Sequence, residues 1–308
     1  MSAGRLSSPP HGGILNADRL NHSTPEQFQQ LLPSVLTSMD ALGRRDQMEA
    51  MIAHWTPQIY QKVFSSLLNK GQEFRIYPAE PNCRQLSRDW LKLMIPDYEV
   101  VGLEHLLTAL ESPTVIVTNH CAYIDANIVD AMLAWSGHEA EAEKIAYLAG
   151  PKVFEDIFRV VACTGINILP VPQSTQFEHT QKLSRRELGR RALASVKAGQ
   201  EVLENGGSLL FFPEGSRTRD GKLGPFLKAT RRYYSSATYL LPAVLEGTGA
   251  VMPLGCSQMQ PGAVRMIFAP PIRLEGRDPK EVLVEAREAI CERLPASARP
   301  DQELPHLK

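Results

Sequence analysis

Residues Pro113 to Asp130 read PTVIVTNHCAYIDANIVD. The apolar run Val115 to Val117 predicts a buried strand that leads directly into Asn119 and His120. Four residues separate His120 from Asp125, and Ile128, Val129, Met132 and Leu133 then recur at helical spacing. A strand ending in a histidine, with a carboxylate at the start of the next helix, is a compact frame for a catalytic pair. Imidazole can take up a proton near neutral pH. A carboxylate on its far nitrogen fixes the tautomer and stabilises the imidazolium that forms. The same spacing also fits a helix-start aspartate beside an ordinary polar histidine, and alone it leaves both readings open.

Outward from this stretch, strand-sized segments alternate with helical patterns. Strands are predicted at Tyr98 to Gly102, Ile145 to Ala149, Ile166 to Val171, Ser208 to Phe212, Leu240 to Leu245 and Val264 to Phe268. Helices are predicted at Leu103 to Leu110, from Gly150-Pro151-Lys152 through Phe158, from Lys182 to Leu203, and after the cap Asp278-Pro279. This alternation implies an α/β fold: a largely parallel mixed sheet flanked by helices. Sites in such folds gather at the carboxyl ends of strands, where both His120 and the segment after Phe212 fall.

The α/β part is expected to span residues 81–295. It is preceded by a mobile segment, 1–22, rich in Gly, Pro and Ser, and by a small helical subdomain, 23–80. Thr24-Pro25-Glu26 opens a helix, with Phe28, Leu31, Leu32, Val35, Leu36, Met39 and Leu42 at helical spacing, and Pro33 as a point of kink or restart. Met48, Met51, Ile52 and Trp55 form a second stripe, and Thr56-Pro57 opens a third helix through Leu68. Such stripes fit a core-facing subdomain, or a face that lies on lipid or walls an acyl chain. Residues 296–308 are expected to form a loose tail.

Composition narrows the function classes. The chain has 308 residues, 43% of them apolar, enough for a large core, and its formal net charge is −1. That balance argues against a dedicated nucleic-acid binder. The five cysteines are scattered with no CxxC pair, which points to reduced thiols rather than a disulfide framework or zinc site. Cys121 adjoins His120 and reads as a packing thiol, with a nucleophile as the alternative. No apolar run approaches the ~20 residues needed to cross a bilayer, and the first residues carry no apolar signal core. The expectation is a cytoplasmic protein, soluble or resting on a membrane surface.

About ninety residues past His120 comes FFPEGSRTRDGKLGPFLKAT, Phe211 to Thr230. Glycines at 215, 221 and 224 let the backbone bend closely round a ligand. Arg217 and Arg219 share the loop, and a guanidinium can fork onto phosphate oxygens. Loop arginines are also commonly just solvated.

Together the two blocks resemble the glycerolipid acyltransferase family, the glycerol-3-phosphate and 1-acylglycerol-3-phosphate acyltransferases. Asn119-His120 to Asp125 matches its NHxxxxD block, and Phe212-Pro213-Glu214-Gly215-Ser216-Arg217 its FPEGSR block. Leu241-Pro242-Ala243-Val244 matches the fourth block loosely, and Gly150-Pro151-Lys152 the second weakly. The resemblance covers roughly residues 98 to 275. In layout it is similar to the soluble plastid-type glycerol-3-phosphate acyltransferases. Those carry a Lys-His pair after the third strand, where this chain has Pro172-Gln173-Ser174-Thr175-Gln176.

The resemblance implies that His120 is a general base oriented by Asp125. It implies transfer of a fatty acyl group from acyl-carrier protein or acyl-CoA to the hydroxyl of glycerol 3-phosphate or 1-acylglycerol 3-phosphate, in phospholipid biosynthesis. Arg217, Arg219, Glu214, Gly215, Ser216, Lys152 and Asn119 would then line the substrate site, with Glu214 bracing the loop. Backbone N–H groups near the pair would hold the oxyanion. A thioester is already activated, so neither metal nor cofactor is implied beyond the acyl-carrier or CoA co-substrate. Alternatives are a different hydroxyl acceptor, a thioesterase, or a non-catalytic lipid- or acyl-carrier-binding protein. No Gly-x-Ser-x-Gly elbow supports a hydrolase.

Lys182, Arg185, Arg186, Arg190, Arg191 and Lys197 crowd one predicted helix. They read as a solvated face, or as a dock for an acidic acyl-carrier protein, a phosphate or anionic lipid, with Arg185, Arg186 and Arg190 as the candidate contacts.

Overall fold

The computed structural model describes residues 18–68, 70–172, 184–300 and 307. After a short turn of helix, α1 (Asp18–Asn21), come α2 (Pro25–Ser38), α3 (Arg45–Ile52) and α4 (Pro57–Leu67). Thr24 caps α2 reciprocally: its hydroxyl accepts from Gln27 N, and its own N–H donates to Gln27 Oε1. Pro33 lies inside α2 without breaking it. Phe28, Leu32, Val35 and Val63 are fully buried, so these stripes face protein. They share one apolar cluster with α5 (Pro81–Met94), with α6 (Leu103–Leu110) and with one face of the sheet.

Among the described residues the sheet has eight strands: β1 (Tyr98–Val101), β2 (Thr114–Thr118), β3 (Ile145–Ala149), β4 (Asn167–Pro170), β5 (Ser208–Phe211), β6 (Tyr239–Glu246), β7 (Val264–Phe268) and β8 (Ile272–Arg273). Their order is β1-β7-β6-β2-β5-β3-β4, with β8 beside β6. Pairing is parallel except where β6 meets β7 and β8. The central strand, β2, is buried along its whole length. Its side chains alternate: Ile116 enters the cluster just described, while Val115 and Val117 enter a second one on the other face.

Further helices complete the two layers: α7 (Asp125–Trp135), α8 (Glu139–Glu143), α9 (Ile157–Thr164), α10 (Arg185–Glu204), α11 (Thr248–Val251) and α12 (Pro279–Arg293). Residues of α7 and α9 pack into the first cluster, and residues of α10 and α12 into the second. A buried ion pair, Arg88 Nε to Asp130 Oδ2 at 2.8 Å, ties α7 to α5.

Register then places the site. Val117 pairs with Phe211 of β5 and with Pro242 of β6. Adjacent strands lie ~4.8 Å apart, so the chain leaving β2 runs beside the chain leaving β5.

Three expectations need correction. The helix read from Gly150 through Phe158 is two elements, a 3-10 turn at Pro151–Phe154 and then α9. Asp156 divides them, because its carboxylate caps α9 by accepting from Arg159 N at 3.1 Å. The helix expected from Lys182 begins, among the described residues, at Arg185, where the Ser184 hydroxyl caps it by accepting from Glu187 N. Of the tail expected to be loose, the described residues 296–300 and 307 are docked: Ala298 O accepts from Leu223 N at 3.0 Å, and Leu307 pairs with Phe226. The expected mobile segment falls largely on residues 1–17, outside the described residues.

Candidate active site

Asp125 is the first residue of α7, and the turn before it folds back so that one carboxylate oxygen collects three donors. Oδ2 accepts from Cys121 N at 2.7 Å and Ala122 N at 2.9 Å, and lies 2.9 Å from His120 Nδ1. The aspartate side chain is wholly buried, while 16% of the His120 side chain remains exposed. A carboxylate facing Nδ1 keeps the proton there and leaves Nε2 as the basic atom. Among the described residues no protein group hydrogen-bonds Nε2.

The block after β5 closes on this histidine from three directions. The Phe212 ring stacks on the imidazole, with centroids 4.1 Å apart and planes 16° from parallel. His120 N donates to Glu214 Oε1 at 3.0 Å. Thr218 N donates to His120 O at 2.9 Å. Glu214 Oε2 accepts from Gly224 N at 2.8 Å, so this one buried carboxylate joins both blocks and the far side of the loop. Burial pushes its pKa above the ordinary carboxylate range, against the pull of those two N–H groups and of His120. Gly215 has φ +72°, and a Cβ there would meet Leu227 Cδ1 at 2.3 Å, so the turn is open only to glycine.

Arg217 is brought to the same place. Its guanidinium carbon lies 3.5 Å from the ring centroid of Tyr123, a residue inside the His-x4-Asp turn. Its Nη1 is buried with no hydrogen-bond partner among the described residues. Arg159 of α9 lies over the same ring at 4.3 Å and donates from Nη1 to the Lys152 carbonyl at 2.6 Å. Lys152 itself is exposed on the 3-10 turn, and Ser216 and Arg219 are exposed on the loop.

Other expected residues are committed elsewhere. Asn119 is buried and clamps β2 to β6: its Nδ2 donates to Leu245 O at 2.9 Å, and Leu245 N donates to its Oδ1 at 2.8 Å. A substrate contact from that amide is replaced by a structural one. The oxyanion role suggested for backbone N–H groups beside the pair also needs revision. Those of His120, Cys121 and Ala122 all donate to carboxylates.

Cys121 has its thiol pushed up to about 12, by burial first and then by the charges of Asp125 and Glu214, so it is not a thiolate at neutral pH. On α10, Arg190 and Arg191 both pair with Glu187, while Arg186 is exposed. The Arg185 side chain and Lys182 lie outside the described residues. Among the described residues no cluster of His, Cys, Asp or Glu could hold a metal ion, and no helix is long and apolar enough to cross a membrane.

Four contributors to the site lie outside the residues expected from the sequence. Phe212, read only as part of a motif, stacks on the base. Thr218 binds the base's carbonyl. Tyr123 was readable, as the one aromatic residue between His120 and Asp125. Arg159 gave no signal, being one basic residue on an amphipathic helix some forty residues away.

A mostly parallel α/β sheet thus sets a carboxylate-held histidine two residues past its central strand, against the loop that carries Arg217. Residues 97–246 match the family model described as Acyltransferase. A chloroplastic 1-acyl-sn-glycerol-3-phosphate acyltransferase of Arabidopsis thaliana is 26% identical over 211 residues, covering 67% of this chain and 52% of its own length. One of Brassica napus is 28% identical over 212 residues, covering 67% and 54%. The chain spans about half the length of these curated relatives.

The crystal structure of a 1-acyl-sn-glycerophosphate acyltransferase, PlsC, from Thermotoga maritima shares the fold with a TM-score of 0.51. It is 18% identical, over 87% of this chain and 95% of that one. Residues 97–246 thus carry an acyltransferase-like domain, and two thirds of the chain is similar to 1-acyl-sn-glycerol-3-phosphate acyltransferases.

Proposed function

We propose that the protein is an O-acyltransferase that moves a fatty acyl group from a CoA or acyl-carrier-protein thioester to the hydroxyl of 1-acylglycerol 3-phosphate. His120 Nε2 takes the hydroxyl proton while Asp125 holds Nδ1–H and stabilises the imidazolium. The alkoxide oxygen bonds to the thioester carbon, the C–S bond breaks, and the leaving thiolate takes the proton from Nε2. Arg217 meets the acceptor's phosphate. The exposed Arg186 and Arg190 are the candidate contacts for an acidic acyl carrier.

The observation that carries this reading is the junction of the two blocks. The imidazole held by Asp125 stacks on Phe212 of the loop that also presents Arg217, so base and anion-binding group belong to one site. A small apolar cleft lined by Trp90, Leu91, Phe158 and Ile124 reaches the residue before Asp125. The relatives' names favour 1-acylglycerol 3-phosphate over glycerol 3-phosphate as acceptor.

The test is thiol release from acyl-CoA and acyl-carrier protein by pure protein, with glycerol 3-phosphate, 1-acylglycerol 3-phosphate or no acceptor. Release that requires 1-acylglycerol 3-phosphate and yields diacylglycerol 3-phosphate supports the proposal. Acceptor-independent release would make it a hydrolase. Release with glycerol 3-phosphate alone would move it to the other branch of the family.

A further inference from the structure

We propose that Tyr123 and Arg159 extend the anion site beyond Arg217: Tyr123 is a positioning residue that fixes the Arg217 guanidinium against its ring, and Arg159 on the same ring adds a second positive charge, which fits the site to a phosphate monoester dianion. This rests on the acyltransferase reading and specifies the chemistry of its acceptor.

Tyr123 comes from the most constrained turn of the site. The N–H groups of the two residues before it are both held by Asp125, and Asp125 follows two residues after it. Its backbone is therefore fixed in relation to the base. The Arg217 guanidinium carbon at 3.5 Å is in face contact with that ring, which restricts the plane in which its N–H fork can point. Arg159 approaches at 4.3 Å. The two guanidinium carbons are thus no more than 7.8 Å apart, the two distances laid end to end.

Two like charges this close repel, and among the described residues neither guanidinium is hydrogen-bonded to a carboxylate. Arg159 is tied only to the Lys152 carbonyl, and Arg217 keeps a buried Nη1 without an acceptor. Elsewhere in the chain buried arginines meet acids, as Arg84 and Arg88 meet Asp130. Two cations left without an acid beside a catalytic base are complementary to a ligand that brings about two negative charges, which a phosphate monoester does at neutral pH. A phosphodiester or an uncharged glycerol headgroup brings fewer.

The ring's part is separable from its hydroxyl. A phenylalanine offers Arg217 the same face, whereas a leucine fills the space without a π-system.

The experiment is calorimetric titration of full-length protein with a short-chain 1-acylglycerol 3-phosphate, for wild type, Tyr123→Phe, Tyr123→Leu, Arg159→Gln and Arg217→Gln. Turnover at saturating acceptor is measured in parallel. Tyr123→Phe should keep the wild-type Kd within about twofold, and Tyr123→Leu should weaken it roughly tenfold with kcat little changed. Arg159→Gln, on a half-buried helix position outside the turn, should weaken it roughly three- to tenfold, and should cost much less for the methyl phosphodiester of the same ligand.

Wild-type Kd values in both Tyr123→Leu and Arg159→Gln, with Arg217→Gln impaired, would overturn this inference and leave the acyltransferase reading standing. Failure of the wild type to bind the ligand would overturn both. If Tyr123→Leu does not fold, Arg159→Gln and its phosphodiester comparison decide the matter alone.

Discussion

Replacing Glu214 by glutamine changes one atom and removes one of two acceptors that hold the site together. The carboxylate accepts from His120 N at 3.0 Å and from Gly224 N at 2.8 Å, and only 6% of the residue is exposed. A glutamine has one carbonyl oxygen, so its amide nitrogen must face one of those N–H groups, donor against donor. Leaving a buried donor unpaired costs about 1–3 kcal/mol. Removing a buried charge returns part of this, since burial already works against the ionised form. A net loss of about 1–2 kcal/mol is expected, a fall in Tm of a few degrees. If His120 N loses its partner, the backbone of the base shifts, and kcat should fall about ten- to a hundredfold with acceptor KM unchanged.

The pH dependence carries a sign. A raised folded pKa means that the native state takes this proton before the unfolded chain does, so wild-type stability from Glu214 rises as pH falls through the raised value. It levels off below the ordinary glutamate range. The stability gap between wild type and Glu214→Gln should therefore widen on acidification over that window. Thermal melts between neutral pH and pH ~4, with initial rates of thiol release, measure both effects. A variant with wild-type kcat and a pH-independent gap would refute the clasp.

Two further outcomes follow from the same geometry. Asn119→Ala should lower stability by roughly 2–4 kcal/mol in denaturant titrations, because both Leu245 groups on β6 lose buried partners; a neutral result would return Asn119 to the list of substrate contacts. Iodoacetamide at pH 7.5 should label the exposed Cys256 and spare Cys121, without loss of activity, as peptide mass mapping would show. Inactivation that tracks labelling of Cys121 would restore the thiol as a nucleophile.

The central strands themselves were legible in the sequence, through the β-branched run of β2 and the glycine break before β5, because burial there is local and periodic; their order in the sheet, set by tertiary pairing, was not. The His–Asp pair was legible for the same reason: its members lie on one turn. What joins the two blocks was not. Glu214 reads as a loop acid until register shows that β2 and β5 end side by side, which brings its carboxylate onto His120 N. Asn119 misled in the opposite direction, since a polar residue beside a base suggests substrate, whereas β6 supplies unpaired backbone groups that only tertiary structure reveals. Arg159 became visible only through the Tyr123 ring. The split of the Gly150 helix turned on Asp156, whose capping carboxylate was in plain view but outweighed by the apolar pattern around it.

The most direct test of the account is the rate of thiol release by His120→Ala with acyl thioester and 1-acylglycerol 3-phosphate, beside calorimetric binding of the acceptor to the same variant. A general base contributes ~10²- to 10⁴-fold, so kcat should fall by about a thousandfold while acceptor Kd stays within about threefold of wild type. A folded His120→Ala protein that still turns over within tenfold of wild type would contradict the role assigned to the imidazole and move the base elsewhere.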